Sequence, residues 1–251
     1  MAQLIRHSLN LNFLRNTLIR RSLNEIEDAV RGSSIGGYGQ PQMVPLPDDI
    51  EPEMPRVIFT SQAGHTQLLL SQLALTLSVS YSEDWAGDFE KCKHHLLSKV
   101  SFLFAIGNIG WKDQAPLFCG VNTACRIAAE SSGHAVQMVA PSFTRSAELL
   151  SSANELSYRW SLDVDERFYN NTSVECVTQL KDGGQLASDA IPRFNRDTIQ
   201  AYSVDVSVDY NDRLAFNSLQ DYRSNADTVR EMIEAGLIEA RKAVSSIEQG
   251  C

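Results

Sequence analysis

Between Leu73 and Tyr81 every second residue is large and apolar: Leu73, Leu75, Leu77, Val79 and Tyr81, with Ala74, Thr76, Ser78 and Ser80 between them. A period of two marks a strand, because successive side chains project to opposite faces. Such a segment needs flanking strands and a covering layer, so it commits the chain to a sheet with one packed face and one face of small residues. The pattern recurs twice. Trp160, Leu162 and Val164 alternate with Asp163 and Asp165, and Val204, Val206, Val208 and Tyr210 alternate with Asp205 and Asp209. Strands buried on one side only belong to antiparallel sheets.

The elements around these strands follow from their spacing. Arg56 to Thr60 reads as a strand that turns near Ala63-Gly64-His65 and returns through the alternating segment. Ser82, followed by Glu83 and Asp84, is a helix start, and Trp85, Phe89, Cys92, Leu96, Val100 and Leu103 continue one apolar helical face. Further strands are expected at Phe118 to Ala128 and Gln137 to Ala140, and a short helix near Thr144 to Leu156. Val174 to Leu180 is expected to pair with the preceding strand through an Asn170-Asn171-Thr172-Ser173 turn. A closing helix from Leu219 to Ile247 places Ala226, Val229, Ile233, Leu237, Ala240, Val244 and Ile247 on one face, with Gly236 inside it as a point of bending. The expected class is α+β: a curved antiparallel sheet with long helices packed on one face.

The first 31 residues carry Leu11, Leu14 and Leu18 on one helical stripe and Ile19, Leu23, Ile26 and Val30 on a second. From Gly32 to Pro55 the chain then holds five of its eight prolines and four glycines. A helix is barred there, and little apolar surface is available for burial. This order predicts a detached N-terminal amphipathic helix (1–31), a Gly/Pro-rich linker (32–55) and an α+β domain (56–251).

The formal net charge is −9, while the first 31 residues hold five arginines against three acids. An acidic body is a poor non-specific partner for nucleic acid. Five cysteines without a Cys-x-x-Cys pair argue against a disulfide framework or zinc knuckle and for a cytoplasmic setting. No apolar run approaches the ~20 residues of an integral membrane segment.

Catalytic signatures are absent: there is no Gly-x-Ser-x-Gly elbow, phosphate-binding glycine loop or His-Glu-x-x-His motif. Asp163, Asp165, Asp205 and Asp209 are candidates for a hard-cation site and hence a metal-dependent hydrolase, but acids alternating with valines are also what a solvated sheet face requires. Cys92 with His95, or Glu90 with His94, gives only two ligands of a metal site. Cys119 or Cys125 with His134 as base has no motif behind it, and buried cysteine is commonly a small hydrophobe. No cofactor or metal is expected.

With the element order in view, residues 56 to 247 resemble a sporadically distributed bacterial family of similar length and no established activity. The resemblance is carried by Pro55-Arg56-Val57-Ile58-Phe59, the strand Leu68 to Tyr81, the helix opening at Trp85, Val121-Asn122, Ser203-Val204-Asp205-Val206 and the terminal helix. It implies a fold and a bacterial context, and no site residues.

The leading functional expectation is a non-enzymatic interaction protein. Its N-terminal helix would bind a protein partner or a second copy through Leu11, Leu14, Leu18, Ile19, Leu23 and Ile26, with Arg15, Arg20 and Arg21 around them. An anionic membrane surface and a transit-peptide role are the other fates open to such a helix. The alternative is a small apolar-ligand cradle, with Phe102, Phe104, Trp160 and Phe168 available to line it.

Overall fold

A computed structural model describes residues 2–33, 37–144, 150, 153, 155–181 and 199–249. Among these, nine strands form one antiparallel sheet, and the long helices lie on one of its faces. The strands are β1 (Gln3–Asn12), β2 (Gln42–Met43), β3 (Val57–Thr60), β4 (Thr66–Leu70), β5 (Ala74–Ser80), β6 (Phe118–Ala129), β7 (Ser157–Val164), β8 (Phe168–Leu180) and β9 (Ile199–Asn211). The helices are α1 (Leu23–Gly32), α2 (Glu83–Ala86), α3 (Phe89–Gly110), α4 (Ser132–Phe143), α5 (Arg213–Ser218) and α6 (Ala226–Gln249). The strand order is β2-β3-β4-β5-β1-β6-β9-β8-β7, an open sheet. No helix among the described residues is long and apolar enough to cross a membrane.

The alternating segments take their expected faces. Leu75, Leu77 and Val79 of β5 and Val204, Val206, Val208 and Tyr210 of β9 are buried under the helices. In α3, Cys92, Leu96, Val100 and Leu103 are buried, and α6 buries Val229, Ile233, Leu237, Ala240, Val244 and Ile247. Gly236 does not interrupt α6. It lets that helix lie close to the sheet, with space for a Cβ only 3.6 Å from Thr123 Oγ1 and Tyr210 Cβ.

The N-terminal expectation is corrected. Residues 3–12 are a strand at the middle of the sheet, paired with β5 (Leu9↔Leu77, Leu11↔Leu75) and with β6 (Leu9↔Val121, Leu11↔Cys119). Leu4, His7, Leu9 and Leu11 point into the core, with a bulge between Leu4 and Arg6. Leu11, Leu14 and Leu18 match helical spacing, but Leu9-Asn10-Leu11-Asn12-Phe13 also alternates, and burial between two long strands outweighs local helical preference. Helix is confined to Leu23–Gly32, preceded by a 3-10 turn at Ile19–Ser22. Ile19 and Ile26 seat against α3, where a Cβ on Gly110 would come within 3.1 Å of Ile19 Cδ1. The segment is therefore not detached.

The Pro-rich tract is held in place rather than free. Prolines lack N–H groups, so a tract rich in them leaves backbone carbonyls needing donors. Arginines supply them. Arg20 Nη2 donates to the carbonyls of Val44 (2.8 Å) and Leu46 (2.7 Å), while Nη1 pairs with Asp48 at 2.7 Å. Arg56, fully buried, donates to the carbonyls of Pro47, Ile50, Glu51 and Met54. Within the same tract, β2 pairs with β3.

Five smaller expectations also shift. The strand from Leu68 to Tyr81 is broken by a turn at Ser71, whose hydroxyl accepts from Leu73 N (3.1 Å) and Ala74 N (2.9 Å). The helix expected from Ser82 onward splits at Gly87, and Asp88 caps α3 by accepting from Lys91 N at 2.9 Å. Gln137 to Ala140 is part of α4, not a strand. Asn170-Asn171-Thr172-Ser173 lies within β8, while the hairpin turns at Asp165-Glu166, both with positive φ (49° and 56°), where Arg167 N donates to Val164 O. The closing helix starts at Ala226 rather than Leu219, and a separate short helix, α5, ends at Ser218 before it. Most of the helix expected near Thr144 to Leu156 lies outside the described residues.

Candidate functional site

Two cavities among the described residues differ in chemistry. The larger, about 550 Å³, is a trough on the open face of the sheet. Its floor is small: Ser80, Ala124, Ser173 and Ser207, from β5, β6, β8 and β9. Charged side chains stand around it, and the central two satisfy each other. Arg126 Nε and Nη2 donate to the two Asp205 carboxylate oxygens at 2.8 and 2.6 Å, and Ser203 Oγ donates to Oδ1 at 2.9 Å. Farther along, Asp209 Oδ2 accepts from Asn171 (3.1 Å) and Asn211 (2.9 Å).

The acidic residues singled out from alternation therefore do not converge. Asp205 lies level with Arg126 and Glu175, Asp209 with Asn122 and Asn171, Asp163 opposite Tyr169, and Asp165 in the β7–β8 turn. Among the described residues no group of three or more His, Cys, Asp or Glu side chains is placed to hold a metal ion. The open face is a polar, mutually hydrogen-bonded surface, as a one-sided antiparallel sheet requires.

The second cavity, about 300 Å³, opens where the β3–β4 turn, the end of β5, α2 and the first half of α3 meet. Local sequence explains the concavity. Gly64 takes φ +74° in the turn, where Gly64 N donates to Ser61 O, and Thr66 N donates to Ser61 Oγ. The chain leaves β5 at Tyr81, makes one helical turn, stops at Gly87 and restarts at Asp88, so Trp85 projects beside Tyr81. The two rings lie within 15° of parallel, centroids 6.5 Å apart. His95 meets Trp85 edge-on at 5.4 Å, and Lys91 Nζ lies 3.9 Å from the Trp85 ring centroid. Val79, Tyr81 and Trp85 make an apolar wall. The hydroxyls of Ser61, Thr66, Ser80 and Ser82 and the basic side chains of His65, His95 and Lys99 complete the lining.

Tyr81 is locked from behind. Its hydroxyl donates to the Cys92 carbonyl at 3.2 Å and lies 2.9 Å from His7 Nδ1. A phenol has one proton, so with that proton on Cys92 O the His7 Nδ1–H donates to Tyr81 Oη. His7 Nε2 is then a buried acceptor without a partner. Burial, with a smaller contribution from the charge of His95, pushes the His7 pKa down to about 3. Burial also lowers His95, helped by the charge of Lys99, and lowers Lys99. The same burial raises the Tyr81 hydroxyl.

The residues expected to bind a partner are scattered. Leu11, Ile19 and Ile26 are core, and Leu23 packs against it. Arg15 donates to Gln72 Oε1 (2.9 Å) and Asp48 O (3.1 Å), and Arg20 braces the Pro-rich tract. Leu14 (57 % exposed), Leu18 (44 %) and Arg21 remain on the surface. Phe102, Phe104, Trp160 and Phe168 do not line the 300 Å³ cavity; Phe168 and Phe102 are buried in the core, and Trp160 packs against Phe143.

The thiols are equally dispersed. Cys92 Sγ donates to Trp85 O, Cys125 is fully buried with its thiol pushed up to about 12, and His134 accepts from Glu130 N. Tyr81, Trp85, His95 and Lys99 were legible only as members of a strand and a helix. The one irregularity is Lys99, a charge among Leu96, Val100 and Leu103 on the apolar side of α3. No protein-family model and no curated relative matches the chain.

Proposed function

We propose that this is a small-molecule-binding protein whose ligand enters the pocket formed by the β3–β4 turn, β5, α2 and α3. The observation that carries the reading is the paired Tyr81 and Trp85 wall, fixed from behind by His7 and Cys92, in a 300 Å³ cavity with a few polar groups at its margin. That size and composition are typical of small-ligand sites. The trough is larger, but its central charges already pair with one another, so less is gained there by adding a ligand.

The test is a titration of the full chain with 2-naphthylmethanol, a neutral two-ring probe, by calorimetry and tryptophan fluorescence. Saturable binding that Trp85→Leu abolishes supports the reading. Binding that is undetectable at millimolar probe, or is unchanged in Trp85→Leu, overturns it.

A second reading, association with a protein partner or a second copy, is favoured by one observation. Leu14 and Leu18 stay exposed on a loop that Arg15 and Arg20 tie to the 44–48 segment, and Met43, Ile50 and Met54 of that tract are exposed as well. Light scattering of the double variant Leu14→Ser, Leu18→Ser tests it. An assembly that dissociates supports this reading, and an unchanged particle size removes it.

A further inference from the structure

β7 forms one border of the sheet, and among the described residues only β8 pairs with it. An open edge can accept a further strand, and proline, lysine or a bulge ordinarily prevents this. Ser157–Val164 has none of the three: its sequence is SYRWSLDV, and its register with β8 runs from Ser157↔Glu175 to Val164↔Phe168 without a shift. On the row it shares with Tyr158, Trp160 and Val164, Leu162 is 49 % exposed.

The outward backbone groups fall on alternate residues. Val164 O accepts from Arg167 N and Leu156 O from Cys176 N, so the even-numbered residues turn their N–H and C=O toward β8. In an antiparallel ladder the residues between them point theirs the other way. Arg159, Ser161 and Asp163 therefore present donors and acceptors at the edge, and their side chains read plus, neutral, minus. Turned end for end, that order complements itself. With Ser161 opposite Ser161 of a second copy, Arg159 faces Asp163 and Asp163 faces Arg159. Within its own sheet Arg159 stands opposite Ser173 and Asp163 opposite Tyr169, so neither meets an opposite charge across β8. The same register sets Tyr158 opposite Val164 and Trp160 opposite Leu162, aromatic against aliphatic. A shift by two residues puts Asp163 against a serine in either direction, and a shift by four puts Arg159 on Arg159 or Asp163 on Asp163.

We propose that β7 is a self-association edge: two copies pair antiparallel through residues 159–163 about a two-fold axis at Ser161, and their sheets become one. The contact is isologous, so each pairing of Arg159 with Asp163 occurs twice. It is independent of the aromatic pocket, which involves β4 and β5 in the other half of the sheet.

The experiment is sedimentation velocity of the full chain between about 1 and 300 μM at low salt. The expected species is a dimer, twice the 27.9 kDa of one chain, forming at roughly tens of micromolar because a single strand pair is a small interface. Over the same range, residue-resolved hydrogen exchange is expected to slow at the Arg159, Ser161 and Asp163 amides and to stay unchanged at Leu162, whose N–H already faces β8. Arg159→Asp sets acid against acid twice and is expected to weaken the dimer about tenfold or more. Adding Asp163→Arg reverses both charges and is expected to restore the affinity to within about threefold. Both side chains are exposed, so the swaps spare the core. A wild-type chain that stays monomeric overturns the proposal. So does a dimer that Arg159→Asp leaves unchanged, that the double variant fails to restore, or that forms without slowing exchange at those three amides.

Discussion

His7 Nδ1 and the Tyr81 hydroxyl lie 2.9 Å apart at the boundary between the core and the aromatic pocket, with the two rings edge to face. The contact fixes the Tyr81 ring, and it also makes stability depend on acid. Unfolded, His7 takes up a proton as pH falls through about 6.5; folded, it resists until about 3. Between those values the unfolded chain binds more protons, so protonation pulls toward unfolding and stability falls as pH is lowered. Replacing His7 with Phe is expected to flatten the acid limb by up to one proton, about 1.4 kcal/mol per pH unit, in urea titrations between pH 6 and 4. An unchanged slope would show that His7 is charged in the folded chain.

Arg56 supplies donors to four carbonyls of the 47–54 segment from a fully buried position. Arg56→Met keeps much of the apolar stem and removes every one of those donors, so the expected cost is about 3 kcal/mol. The same variant should become sensitive to limited proteolysis between residues 41 and 55 while the sheet core stays protected. Equal cleavage rates for the two proteins would show that the prolines alone hold the segment.

Two helical glycines should respond to alanine with opposite signs. A Cβ on Gly107 would lie 2.9 Å from Phe13 Cζ, and that ring cannot retreat, since it is stacked on Trp111 at 4.2 Å. Gly107→Ala is therefore expected to cost about 2 kcal/mol. At Gly236 the nearest atoms are 3.6 Å away, an ordinary contact, so alanine gains helix propensity without a clash and should stabilise by roughly 0.5–1 kcal/mol. Thermal melts of the two variants decide both signs.

Deleting residues 1–54 tests the place of β1. A detachable appendage would leave a folded remainder. Because β1 joins β5 to β6, its removal splits the sheet into two parts, and the expected product shows no cooperative melt.

What could be read in advance was whatever local period and burial agreed upon. Val204 to Tyr210 and Leu75 to Val79 alternate without interruption and occupy the strands their pattern demands. Leu11 and Ile19 had two consistent spacings, and only the two strands flanking Leu11 decide between them. Gln137 to Ala140 is short and apolar, a length at which strand and buried helix look alike. Arg20 and Arg56 were unreadable for another reason. Their partners are backbone carbonyls, which every residue type carries alike. The pocket shares this property: Tyr81 and Trp85 are adjacent because α2 stops after four residues, and neither residue by itself announces a site.

The position of β1 also sets an order of events. Asn10 meets Thr76 across 66 intervening steps of sequence, and Asn12 meets Phe118 across 106. On a ribosome, residues 3–12 emerge long before either flanking strand exists, with both hydrogen-bonding edges open and Leu4, Leu9 and Leu11 uncovered. Such a segment is a template for intermolecular pairing until residue 129 has been made. Expression yield should accordingly depend on translation speed across the first half of the message and on whatever shields that one strand in the interval.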